Sequence, residues 1–138
     1  MHTLDSGIPP SKRSLLALIV DDEPSILETF SVILNMQDYQ VHTACSAATA
    51  IEQLQQHRFD LILTDMSMET STAGFEVVRA AKAQAHNPAV VIISAYPSLS
   101  ADWKNQGADA MFQKPTILAE LLETLTRLTE LRTQNPTG

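Results

Sequence analysis

Five short apolar runs, Leu15 to Val20, Gln40 to Ala44, Leu61 to Thr64, Ala89 to Ser94 and Ala110 to Gln113, alternate with stretches whose apolar residues recur at helical spacing. Several of the runs are rich in Val, Ile and Leu, as strands buried on both faces should be, and they are expected as strands one to five. After the first run, Pro24 stands where a first helical turn accepts it, and Ile26, Leu27, Phe30, Ile33 and Leu34 follow on one helical face. Ser46 is placed to cap a second helix with the apolar face Ala47, Ala50, Ile51 and Leu54. Phe75, Val78 and Ala81 mark a third helix, and a short fourth is expected around Leu99 to Asn105, ending at Gly107. Thr116 is placed to cap the fifth, whose stripe is Leu118, Leu121, Leu122, Leu125 and Leu128. This alternation, unbroken by a long linker, predicts an α/β domain: a parallel sheet with right-handed crossover helices on both faces. Such a doubly wound sheet binds its ligand beyond the carboxyl ends of the strands, near the point where strand order reverses.

A chain of 138 residues has room for one domain, expected over residues 14–132. Polar tails are expected at 1–13, with Gly7, Pro9 and Pro10, and at 133–138, with Asn, Pro and Gly. The longest uninterrupted apolar stretch, Leu15 to Val20, is far below the ~18 residues of a membrane span. It is also stopped at once by Asp21, Asp22 and Glu23, unlike a secretory signal, so membrane insertion is not expected and a cytoplasmic address is. A lone cysteine, Cys45, excludes an internal disulfide and a thiolate zinc cluster. Nine Lys and Arg against sixteen Asp and Glu leave a net charge of −7 with no basic cluster, which speaks against direct nucleic-acid binding. The same acidity suits a cation.

Four of the five expected strands end in polar or charged groups: Asp21, Asp22 and Glu23 after the first, Asp65 after the third, Ser94 at the fourth, and Gln113 with Lys114 at the fifth. Carboxylates gathered from strands one and three would repel one another unless a cation sat among them, and hard oxygen ligands suit Mg2+. Phosphoryl transfer needs a nucleophile, a divalent cation and cationic or hydroxyl donors, and Asp65, Asp22, Lys114 and Ser94 supply that set. Each residue alone has a plainer reading as a cap or turn residue. Their joint placement at the strand ends favours the chemical one.

The strings Leu18-Ile-Val-Asp-Asp-Glu-Pro, Phe59-Asp-Leu-Ile-Leu-Thr-Asp65, Ile92-Ile-Ser94-Ala, and Gly107-Ala-Asp followed by Lys114-Pro115 together resemble the receiver domain of bacterial two-component response regulators, over about Leu15 to Leu131. The resemblance implies a flavodoxin-like, five-stranded parallel sheet in the order 2-1-3-4-5 with five helices. It implies that Asp65 accepts a phosphoryl group from the phosphohistidine of a histidine kinase. Asp22 and Asp65 would bind Mg2+ directly with the backbone carbonyl of Ser67, and Asp21 would act mainly through a water. Ser94 and Lys114 would each hold a phosphoryl oxygen, and the Lys114-Pro115 bond would be cis.

The sequence departs from that pattern in two places. Receivers usually carry Met three residues after the phosphoacceptor, then Pro, with Gly eight residues after it; here Met68 fits, Glu69 stands for the Pro, and Gly74 comes nine residues on. The loop is thus one residue longer and, with Thr70, Ser71 and Thr72, polar. Three residues before the lysine, where receivers usually carry a Tyr or Phe switch ring, this chain has Met111, a flexible thioether that can fill or vacate a gap. Phe112 beside it faces the other side of a strand and does not substitute.

The function expected is a phosphoaccepting switch rather than an enzyme with turnover. Its partners would be a sensor histidine kinase or phosphotransfer protein, and a downstream protein or an output domain outside these residues. No DNA-binding segment follows Leu131, and Leu118 to Leu131 offers a helix for a homodimer. The alternative is a receiver-like interaction module that signals without phosphate, suggested by Met111 and the altered loop. A phosphohydrolase would need a second acid near Asp65, and none follows before Glu69.

Overall fold

The computed structural model describes residues 15–134, so the expected tail at 1–13 lies outside the described residues. Strands β1 (Leu15–Val20), β2 (Tyr39–Ala44), β3 (Leu61–Asp65), β4 (Ala89–Ser94) and β5 (Ala110–Gln113) alternate with helices α1 (Pro24–Met36), α2 (Ala47–Gln56), α3 (Ala73–Lys82), α4 (Trp103–Gln106) and α5 (Leu118–Gln134). All pairings are parallel, and the order is β2-β1-β3-β4-β5. Strand order reverses between β1 and β3, which pair Ala17 to Leu61 through Val20 to Thr64.

Period-two alternation splits the apolar strand residues between two cores. Leu18, Val20, Ile62, Val90 and Ile92 face α2 and α3, with Phe59, Val77 and Val78. Ala17, Ile19, Leu61, Leu63, Val91 and Ile93 face the other layer, with Leu34 of α1 and Leu121 and Leu125 of α5. Because β3 and β4 are buried along their whole length, they need no alternation in their sequence.

Ser46 caps α2 as the sequence requires, its hydroxyl accepting from Thr49 N while Thr49 Oγ1 accepts from Ser46 N. Elsewhere the expected boundaries shift. The fourth helix is a single turn at Trp103–Gln106 rather than at Leu99 to Asn105. Before it the chain runs through four-residue turns, Leu99 N to Tyr96 O, Ser100 N to Pro97 O and Trp103 N to Ser100 O. The buried Ser100 hydroxyl donates to Pro97 O, so a side chain competes for the carbonyl a longer helix would use. Gly107, at φ 104°, then ends the helix in the left-handed region where a side chain would be strained. Thr116 does not cap α5: its hydroxyl points back to Gln113 O at 3.5 Å, and the first helical bond runs from Leu121 N to Ile117 O. Leu118, expected in the apolar stripe, is 41% exposed, whereas Thr129 is buried on that stripe and meets the Tyr39 hydroxyl at 3.4 Å. Helix α5 runs through Gln134, taking in Thr133 and Gln134 of the expected tail.

Candidate functional site

The carboxyl ends of β1 and β3, at the reversal of strand order, carry the acidic residues. Asp21 follows β1 and is fixed by its backbone, whose N–H donates to Ala44 O at 3.1 Å, and by Glu23 N, which donates to Asp21 Oδ1 at 2.9 Å. The chain then turns into α1, with Pro24 in the first turn where its missing N–H costs nothing. Asp65 is the last residue of β3, and its Oδ1 accepts from Met66 N at 2.9 Å. Asp21 and Asp65 are buried and Asp22 is exposed, and one ligand atom from each lies within 4.8 Å of the others.

Lys114 reaches into this group from the end of β5, its Nζ standing 3.2 Å from both Asp21 Oδ2 and Asp65 Oδ1. Its backbone N–H donates to Ser94 O at 2.8 Å, tying the ends of β4 and β5, and the following Lys114-Pro115 bond is cis. Burial pushes the Asp65 carboxyl above its ordinary value, the Asp21 charge adds to this, and Lys114 only partly opposes it. For Lys114, burial would lower the ammonium, but the Asp65 and Asp21 charges override it and the net shift is upward. One ammonium thus serves two buried carboxylates, and Asp65 remains costly to ionise. A divalent cation held by oxygen donors would supply the positive charge still wanting, so the residues present fit Mg2+.

The remaining expected residues are placed unevenly. Ser94 is buried at the end of β4, but its hydroxyl is engaged with its own turn, donating to Tyr96 O and accepting from Tyr96 N at 3.1 Å each. Ser67 lies half-buried in the loop after β3, its hydroxyl donating to Ser71 O at 2.9 Å. Met111 is half-buried against the core beneath α2 and α3, together with Trp103, while Phe112 packs on the opposite core as a strand of period two requires.

Two residues matter here in ways the sequence reading missed. A Cβ on Gly74 would stand 2.6 Å from Asp65 O and 2.8 Å from Met66 Cα, both backbone atoms, and Gly74 N donates to Met66 O at 2.7 Å. The start of α3 is therefore pressed against the residue carrying the central carboxylate, at a distance only glycine permits. Gly74→Ala is expected to cost about 1–3 kcal/mol of stability by overpacking. A thermal melt equal to that of the unaltered protein would contradict this. The other residue, Glu69, reaches from the same loop to α2, accepting from Ala47 N at 2.9 Å and Ala48 N at 3.2 Å. The bond from Ala47 holds its carboxyl below the ordinary value. The sequence signal was present, an acid in place of the usual Pro, but its partner lies 22 residues away.

The family profile described as "Response regulator receiver domain" matches residues 17–126. The chain is 34% identical over 122 residues to the response regulator protein PilR of Pseudomonas aeruginosa, covering 87% of this chain and 27% of PilR. Its fold is similar to a CheY-like response regulator receiver domain protein from Methanospirillum hungatei, with a TM-score of 0.79 and 26% identity over 88% of this chain and 98% of that one. It is also similar to the response regulator TrrA of Thermotoga maritima, solved in complex with Mg2+-BeF, with a TM-score of 0.74 and 26% identity over 83% of this chain and 98% of that one. The chain spans 27% to 57% of the length of the first curated relatives it matches.

Proposed function

The chain belongs to the response regulator receiver domain family, and from that premise we propose that it is an active phosphoacceptor, with Asp65 taking the phosphoryl group from a phosphohistidine. The observation that carries this reading is the gathering of Asp21, Asp22 and Asp65 at the β1 and β3 ends with Lys114 bridging Asp21 and Asp65. Both donors to the Asp65 side chain fall on Oδ1, so Oδ2 is assigned as the attacking oxygen. It forms a bond to phosphorus as the bond from phosphorus to the histidine nitrogen breaks, giving an acyl phosphate and returning the imidazole. The chain is a recipient here, with no separate substrate turned over.

Mg2+ would be held by Asp22, Asp65 and the Ser67 backbone carbonyl, and when bound it neutralises phosphoryl oxygens. Asp21, whose Oδ1 accepts from Glu23 N and Oδ2 from Lys114, is given the water-mediated role that the family resemblance implies. Lys114 pairs with a phosphoryl oxygen, and the Ser94 hydroxyl leaves Tyr96 to bond another. That exchange would be the local event that biases the conformational equilibrium, with Met111 repacking beside it in place of a ring. The donor partner is a sensor histidine kinase or phosphotransfer protein, and the recipient of the signal is a protein surface or an output domain. Among the described residues no helix is long and apolar enough to cross a membrane.

Incubation with acetyl phosphate and Mg2+ is expected to add the mass of one phosphoryl group, and a chelator is expected to prevent it. No gain with either the small donor or a histidine phosphodonor would overturn phosphoacceptance and favour the phosphate-independent module.

A further inference from the structure

The loop joining β3 to α3 is fastened along its length. Gly74 N donates to Met66 O at 2.7 Å, Met68 N to Thr70 O at 2.9 Å, and the Ser67 hydroxyl to Ser71 O at 2.9 Å. The Met68 side chain packs against the core beneath α2 and α3. At the exposed tip, the Glu69 carboxylate leaves the loop altogether and clasps the start of α2 through Ala47 N and Ala48 N.

The division of donors at that helix start is complete. The first amides of a helix have no acceptor within it. Here Thr49 N goes to the Ser46 hydroxyl, Ala50 N begins the regular ladder at Ser46 O, and Ala47 N and Ala48 N go to Glu69. The positive end of the helix further favours a carboxylate. Ser46 thus provides the cap of its own helix, and Glu69 is an additional tie from a distant loop. Its position is mechanically significant: it lies two residues beyond Ser67, whose carbonyl is assigned to the metal.

We propose that Glu69 is a positioning residue, which by clasping the N-terminus of α2 holds the Ser67 carbonyl in place for Mg2+. This rests on the reading of the pocket given above. With Met68 seated in the core on one side and Glu69 bonded to α2 on the other, the backbone between Ser67 and Glu69 is ordered before a cation arrives. Without the clasp, that ordering is lost from the free protein and must be supplied on binding, which lowers affinity. Reciprocity requires the converse: a cation that orders the loop must steady the contact with Ala47 and Ala48.

The test is calorimetric titration of the full chain with MgCl2, comparing the unaltered protein with Glu69→Ala and Glu69→Gln, beside amide hydrogen exchange with and without Mg2+. Glu69 is exposed, so all three proteins are expected to fold with similar melting temperatures. Glu69→Ala is expected to weaken Mg2+ binding about tenfold, the lower end of what losing an outer partner costs a metal site. Glu69→Gln, which keeps one acceptor oxygen for the amides, is expected to fall between. Mg2+ is expected to slow exchange at Ala47 and Ala48 in the unaltered protein and not in Glu69→Ala. Unchanged Mg2+ affinity in Glu69→Ala, or Mg2+ protection of Ala47 and Ala48 surviving in it, overturns the clasp while leaving the pocket assignment intact. Failure of the unaltered protein to bind Mg2+ overturns both.

Discussion

Replacing Asp65 by Asn is expected to abolish phosphoryl uptake from acetyl phosphate while raising the thermal stability of the metal-free protein. The amide keeps the shape of the carboxylate but is no nucleophile, so the mass of one phosphoryl group should never appear. The stability gain arises from linkage. Burial and the neighbouring Asp21 make Asp65 harder to ionise in the fold than in the unfolded chain, where 3.8 is its ordinary value. The folded state therefore retains the proton to higher pH, and Asp65 lowers stability progressively as pH rises above that ordinary value. Asn has no charge to bury and removes that cost. A rise in melting temperature of roughly 2–5 °C is expected at neutral pH, shrinking as pH is lowered toward 4. Mg2+ should stabilise the native protein more than the variant, because the cation offsets the same charge. Phosphorylation of the Asn variant at the native rate would remove Asp65 from its assigned role.

Lys114→Ala is expected to have the second large effect, with the opposite sign on stability. Its ammonium bonds Asp21 and Asp65 at 3.2 Å each, and removing it leaves both buried carboxylates without that partner. The Lys114 pKa is raised in the fold, so its contribution is fully present below the ordinary 10.5 and is lost only as pH rises through the raised value. The whole contribution is therefore missing from the variant at neutral pH. A loss of about 1–3 kcal/mol is expected, less than for a fully buried pair because the Lys114 side chain is 25% exposed. Mg2+ should restore part of it. Phosphoryl uptake should persist at a reduced rate, since nucleophile and metal carboxylates remain. The spectral difference between free and phosphorylated protein should disappear, because the group that senses the phosphoryl oxygen is gone. A variant as stable as the native protein at neutral pH, with that difference intact, would overturn the role given to Lys114.

Both residues were legible from position alone. If the runs Leu15 to Val20, Leu61 to Thr64 and Ala110 to Gln113 are parallel strands, the residues immediately after each run must emerge at the same edge of the sheet. Asp21, Asp22, Asp65 and Lys114 were thereby placed together before any contact was known. The assignment of Met111 and Phe112 to opposite faces came in the same way from the two-residue period, and the two cores confirm it.

Where periodicity is weak, the element boundaries differ from those the sequence predicts. The stretch Pro97 to Asp102, rich in Pro, Ser and Asp, is held by turn bonds and the Ser100 hydroxyl out of the helix until Trp103. Thr116 looks like a cap in isolation, but its hydroxyl returns to Gln113 O and leaves the helix to start without it.

The amino-acid sequence by itself determined the alternation of five parallel strands with helices and the residues at the strand ends, because those depend on local period and on a shared direction; the strand order came from the family resemblance. Only the tertiary structure decided that Lys114 spans two carboxylates, that Ser94 bonds Tyr96, that Gly74 lies against Asp65, and that Glu69 grips α2. These depend on the path of loops and on approaches of a few ångströms between segments far apart in the chain. No pattern of hydrophobic and polar residues encodes such distances; the packing of the helices on the sheet sets them.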